Sequence, residues 1–218
     1  MCPYGQLPYP EWSAYFEKAL KTRTLTKEGT RWGRSFTPED FYLYTLAHMY
    51  KHFEISGTGI RSLLDIFLFR RAHEKQLDQN ALQQGLEQLS LTDFDRETCA
   101  LAKQVFDSDA PLCPADARKL AYYLTSGTYG TVSQRARNEL VKMAGDEQPV
   151  TAMTKLQYSL RRLFPDRTFM EMWCRHDAPF FLWHPRLMPF ACGYRLVYNL
   201  AHGKVKRFLG EQRFLWKR

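Results

Sequence analysis

His48, Lys51, His52, Arg61 and Asp65 stand within eighteen residues of one another, in a stretch otherwise apolar enough to be core. A buried polar group must find a partner or cost stability, so this concentration needs a chemical reason. On helices, His48 lies one turn from His52, Arg61 lies one turn from Asp65, and Lys51 neighbours His48 at three-residue spacing. If the Gly57/Gly59 turn folds the two helices back on each other, all five groups can face one polar seam. Three chemistries are open to them. Lys51 and Arg61 can offer cationic donors to a nucleotide or substrate phosphate, with a histidine assisting. Arginine's planar fork suits phosphate oxygens, and lysine acts as a mobile point charge. Alternatively, a histidine and the Arg61–Asp65 pair satisfy each other as an internal network that fixes the hairpin. In the third reading His48, His52 and Asp65 hold a divalent ion. Met49 follows His48, so the glutamate of an HExxH metalloprotease helix is absent.

A second segment, Ser126-Gly127-Thr128-Tyr129-Gly130-Thr131, can aim backbone N–H groups at an anion just before a helix that opens near Val132. It lacks the Gly-Lys-Ser/Thr of a Walker loop, and a tight interhelical turn is the simpler reading of its glycines. Asp107-Ser108-Asp109 has the bare spacing of a metal-binding pair but falls between helical patterns. Glu39 and Asp40 read as a helix-start device. No serine lies in a nucleophile-elbow context.

The elements that must position these groups are helices. Pro10–Leu20 is amphipathic through Trp12, Tyr15, Phe16 and Leu20. Thr37-Pro38-Glu39-Asp40 is a well-specified start, with a capping hydroxyl, a first-turn proline and two acids at the positive end. The helix it opens runs to about Phe53. A glycine turn at 56–59 joins it to a second helix, Ile60 to about Glu74. Further helices are expected over Gln79–Leu89, Asp93–Phe106, Pro114–Leu124, Val132–Met143 and Met153–Leu163. Four prolines (Pro165, Pro179, Pro185 and Pro189) predict an irregular or short-helix segment from Phe164 to Phe190. A last helix, Cys192 to about Leu209, closes the fold, and the basic residues from Lys204 onward read as a solvated, frayed tail. The expectation is an all-α, compact multi-helix protein. It forms a single domain over 1–218, with sub-lobes 1–125 and 126–218 as an option, and no convincing sheet.

The chain has 218 residues, 44% hydrophobic and 15% aromatic, which excludes a disordered protein and implies an aromatic-rich core. Its net charge of +8 is compatible with a polyanionic ligand without identifying one. Five widely spaced cysteines without a CxxC pair favour free thiols in a reducing compartment. Met1–Gln6 lacks a signal-peptide pattern, and no apolar run is long enough to span a bilayer. The protein is therefore expected to be cytoplasmic, with neither membrane nor nucleic acid as partner.

Phe36-Thr37-Pro38-Glu39-Asp40-Phe41, His48-Met49-Tyr50-Lys51-His52-Phe53 and Gly57-Thr58-Gly59-Ile60-Arg61-Ser62-Leu63-Leu64-Asp65 resemble the post-catalytic helical region of the uncharacterised nucleotidyltransferase family. That family is similar to the polymerase-beta-like nucleotidyltransferases. The likeness continues at Gly127–Thr131, Leu163-Phe164-Pro165, Leu187-Met188-Pro189 and the helix near Tyr194. In the wider family a preceding α/β palm carries a Gly-Ser turn and an Asp-x-Asp pair that hold divalent metals for nucleotidyl transfer. No such constellation is present in this sequence. The resemblance therefore implies a helical accessory or substrate-binding part, inactive or incomplete as a transferase by itself. It puts Lys51 and Arg61 beside a nucleotide or a phosphorylated small molecule. Mg2+ and a nucleotide would enter only with a palm supplied elsewhere, as a separate or missing N-terminal catalytic domain, and this chain would hold no cofactor itself. The rival expectations are a structural or protein-interaction domain with an internal His/Lys/Arg/Asp network, and a metal-dependent enzyme built on the two histidines.

Overall fold

The computed structural model describes residues 9–23, 25–28, 31–128, 130–145 and 148–216. These form two compact units, divided between Thr131 and Val132. The first contains α1 (Pro10–Lys21), β1 (Thr26–Glu28), β2 (Arg31–Gly33), α2 (Pro38–Ile55), α3 (Ile60–His73), α4 (Gln79–Gln88), α5 (Thr92–Asp107) and α6 (Pro114–Thr125). The second contains α7 (Val132–Ala144), α8 (Ala152–Leu163), α9 (Arg167–Asp177), α10 (Phe180–Trp183), a 3-10 turn (Pro185–Leu187), α11 (Met188–Ala201) and α12 (Val205–Trp216). The protein is all-α, as the periodicity predicts. One small exception lies in the polar run after α1, where β1 and β2 pair antiparallel with Lys27 opposite Trp32.

Helix starts are written locally. The Thr37 hydroxyl accepts from the Asp40 N–H at 3.1 Å at the start of α2, and the Asp78 carboxylate accepts from Asn80 and Ala81 at the start of α4. Glu39 and Asp40 do more than favour a helix start. Glu39 accepts the Asp78 N–H at 2.9 Å, and Asp40 is buried against Arg23 at 2.9 Å. The first unit's core is aromatic and aliphatic, with Phe16, Tyr42, Leu46, Leu63 and Ile66 fully buried. Glu54 ties α2 to the start of α1 by accepting from both Tyr9 and Tyr50.

The second unit departs from expectation in two places. Between Phe164 and Phe190 the expected segment takes its short-helix form, as α9, α10 and the 3-10 turn. Each proline falls where a helix tolerates one. Pro165 precedes the Asp166 cap, Pro179 caps α10, Pro185 opens the 3-10 turn, and Pro189 lies in the first turn of α11. The predicted last helix over 192–209 is two helices, because Gly203 takes φ +67 and ends α11 in a left-handed turn. Nor is the basic stretch after Lys204 a frayed tail. It folds as α12, which buries Glu211 and Leu215, while Lys217 and Arg218 lie outside the described residues.

Candidate functional site

The site begins with the α2–α3 hairpin. Thr58 at its turn is buried, and its hydroxyl meets Ser62 Oγ at 2.7 Å. Gly59 caps α3 without a side chain, and its carbonyl accepts the Ser62 N–H at 3.0 Å. Gly59 also admits a second turn. A Cβ there would lie 2.6 Å from the Gly127 carbonyl oxygen. From that second turn the Thr131 N–H donates to the Ser56 carbonyl at 3.0 Å. The glycines of 126–131 thus seat this segment on the hairpin turn and carry Thr128 to its edge. Tyr129, part of the predicted anion turn, lies outside the described residues.

Between these parts is an open cavity of about 250 Å³, bordered by His48 and His52 of α2, Arg61, Ser62 and Asp65 of α3, and Thr128. Four of the five residues singled out in the sequence therefore meet at one hollow, and the first turn of α3 brings the helix's positive end to it. Lys51 does not line the cavity. Its charge nevertheless reaches both histidines. Burial first, then Lys51, lowers His48, and burial followed by His48 and Lys51 lowers His52. The two Nε2 atoms stand 3.1 Å apart, so in the neutral pair one ring donates and the other accepts.

The geometry separates the alternative chemistries. Arg61 Nε and Asp65 Oδ2 are 3.9 Å apart with side chains 79% and 54% exposed, so the pair is open to solvent rather than a sealed internal network. A metal would need a third ligand beside the two histidines. Among the described residues no group of three His, Cys, Asp or Glu side chains is placed to hold one. Asp107 ends α5, with Arg71 at 4.0 Å, so Asp107-Ser108-Asp109 does not supply a two-metal pair. The described residues thus include no side-chain set that fits the divalent ion of nucleotidyl transfer.

Sequence reasoning passed over a second polar assembly. A larger hollow of about 870 Å³ on α3, α4 and α5 has Arg70 and Asp95 in its wall. Arg70 Nη2 donates to Asp95 Oδ2 at 2.6 Å, and the buried Tyr42 hydroxyl donates to Asp95 Oδ1. Burial alone would lower the Arg70 guanidinium, but Tyr42 and Asp95 outweigh it and hold the group charged. The missed signal was a tyrosine on a buried helix face, with an arginine and an acid each on another amphipathic helix. Arg71 and Arg96 of this hollow meet Asp107 and Asp93, so its charges are largely answered from within.

Residues 6–107 match the sequence model of the family described as Uncharacterised nucleotidyltransferase. No curated protein and no solved structure matches the chain. The match contains the whole His48–Asp65 hairpin and ends before the glycine turn at 126–131. Residues 6–107, just under half of the chain, are thus similar to the uncharacterised nucleotidyltransferase family.

Proposed function

We propose that the protein is the helical, substrate-binding part of a nucleotidyltransferase-like system, and that the 48–65 hairpin receives a phosphate group of a nucleotide or phosphorylated small molecule. The observation that carries this reading is the convergence of Arg61, two histidines, four hydroxyl residues (Thr45, Thr58, Ser62 and Thr128) and a helix N-terminus on one open hollow, with Asp65 beside Arg61 at its edge. Its volume of about 250 Å³ lies below the span that encloses a whole drug-sized ligand, about 300–1,000 Å³. It therefore suits a phosphate-bearing end, with the rest of the ligand held elsewhere. Arg61 would pair with phosphate oxygens, and a histidine proton would add a donor at Nε2. Lys51 would contribute long-range charge. On this reading the chain does not transfer nucleotidyl groups by itself, because the carboxylate cluster that reaction needs is not found among the described side chains.

Calorimetric titration of the intact chain with ATP and with inorganic phosphate tests it. Saturable binding of ATP is expected. Arg61→Ala should weaken it by at least about tenfold, in keeping with loss of a charge-assisted pair worth roughly 1.5–3 kcal/mol. Lys51→Ala should weaken it less. Absence of binding up to millimolar ligand, or equal affinities for wild type and Arg61→Ala, would defeat the proposal.

A further inference from the structure

The surplus positive charge is confined to one unit. Residues 132–218 hold sixteen Lys and Arg against seven Asp and Glu, a net +9, whereas residues 1–131 hold fifteen against sixteen. The same basic unit exposes most of the large apolar side chains that are exposed among the described residues. On α11 they form a pattern. Phe190, Tyr194 and Val197 recur at spacings of four and three, with Leu200 beside them, and are 69%, 48%, 64% and 64% exposed. That spacing makes one continuous stripe along the helix. Between Arg186 and Lys204 the only Lys, Arg, Asp or Glu is Arg195. It turns away from the stripe, is buried, and donates to the carbonyls of Arg162 and Leu163 at 2.8 and 3.0 Å. The outer face of α11 is thus uncharged along its length and bracketed by the exposed cations Arg186 and Lys206, with Lys204, between them in sequence, 3.9 Å from Asp177. Trp183 and Phe180 on α10 are also exposed.

We propose that this face seats the 132–218 unit on an anionic lipid surface, with the stripe among the acyl-chain ends of the headgroup layer and the flanking cations on lipid phosphates. Charge selects this occupant over others. A second copy docked through the same unit would bring +9 against +9. A nucleic acid would need cations along the face that its phosphates follow, and between its ends the face offers only the Tyr194 hydroxyl. An interfacial layer matches both features at once, since it offers hydrocarbon under the stripe and anions at its rim. At 14 residues α11 is about 21 Å long, and no described helix is long and apolar enough to cross a bilayer, so the helix lies in the surface.

Co-sedimentation of the full chain with vesicles decides the matter. Phosphatidylcholine vesicles rich in phosphatidylserine should pull the protein down at low salt, and pure phosphatidylcholine should not. Val197→Asp should reduce partitioning about tenfold or more, by replacing a buried apolar contact with a charge. Arg186→Gln with Lys206→Gln should reduce it about fivefold for each cation lost and flatten the salt dependence. These two cations have exposed side chains, so their variant reads the surface even if the stripe variant fails to fold by circular dichroism. No sedimentation with anionic vesicles would overturn the proposal, as would partitioning unchanged in both variants. Saturable binding to a polyuridine strand without any vesicle binding would overturn it equally, by assigning the charge to nucleic acid.

Discussion

Each unit is fastened by the same three-part device, a buried tyrosine and an arginine sharing one carboxylate. In the first, Asp95 of α5 takes the Tyr42 hydroxyl of α2 on one oxygen and Arg70 of α3 on the other. In the second, Glu211 of α12 takes the Tyr158 hydroxyl on one oxygen and Arg162 Nη2, at 3.1 Å, on the other, both from α8. What surrounds the device differs. Asp95 joins three helices inside a large aromatic core, and Arg70 lies over the Tyr42 ring at 4.6 Å. Glu211 joins two helices beside a core of four buried residues. The lesson is that a satisfied polar lock specifies which helices pack, and the apolar area around it sets how far the unit stands alone. The first unit leaves fewer large apolar side chains exposed, and they are scattered over several elements. The second leaves a stripe outside, which is why its surface chemistry calls for a partner phase.

The largest effects should come from breaking the two locks. Asp95→Ala leaves Arg70 and Tyr42 without their acceptor in the core and should cost about 3–5 kcal/mol in denaturant unfolding. Glu211→Ala, in the smaller core, should cost about 1–3 kcal/mol. The two locks share no side chain, so the double variant should equal the sum within about 0.5 kcal/mol. A larger coupling would break the division into two units.

A second contrast concerns two glycines in left-handed backbone. Gly130, at φ +83, has no room for a side chain, because a Cβ would collide with the Ser56 backbone and hydroxyl. Gly203, at φ +67, has nothing within 4 Å of the same position. Both alanine variants carry the backbone penalty of about 1–2 kcal/mol, but only Gly130→Ala adds a clash, for a total of about 2–4 kcal/mol. Gly130→Ala should also weaken ATP binding, because it displaces the turn that presents Thr128. Equal melting shifts for the two variants would show that the 126–131 turn is not seated on the hairpin as described.

Helix positions in the first unit were legible because the local code and the packing agree there. Thr37-Pro38-Glu39-Asp40 contains its own cap, and the 48–65 residues recur at helical spacing on two faces that the turn brings together. The gathering of His48, His52, Arg61 and Asp65 around one hollow follows from that spacing together with the glycine turn. The exclusion of Lys51 does not, since it depends on the rotation of α2. The Tyr42–Asp95–Arg70 lock was hidden because its members lie 25 to 53 residues apart and are joined only by tertiary packing. In the second unit, four prolines left an irregular and a short-helix path both open. Each lies just before, at or just inside a helix start, so the backbone takes the short-helix path. Gly203 was the overlooked stop signal between α11 and α12.

The smallest expected effect is also the one that links stability to the site. Burial and Lys51 hold His48 and His52 below the ordinary histidine value of 6.5, and His48 further lowers His52. The unfolded chain therefore binds more protons than the folded chain just below that value. The stability associated with these rings is complete above pH 6.5 and is lost as pH falls through it toward their lowered values. Cavity binding should move the opposite way. A phosphate beside the rings favours the imidazolium, so ligand affinity should rise over the interval in which the free protein loses stability. Melting and titration series across this interval should show the two opposed slopes in wild type, and His48→Gln/His52→Gln should flatten both. If that variant kept the stability slope, the slope would belong to groups outside the hairpin. If it kept only the affinity slope, the proton taken up on binding would belong to a group other than these two rings, because protonating the phosphate itself lowers its charge and weakens its hold on Arg61.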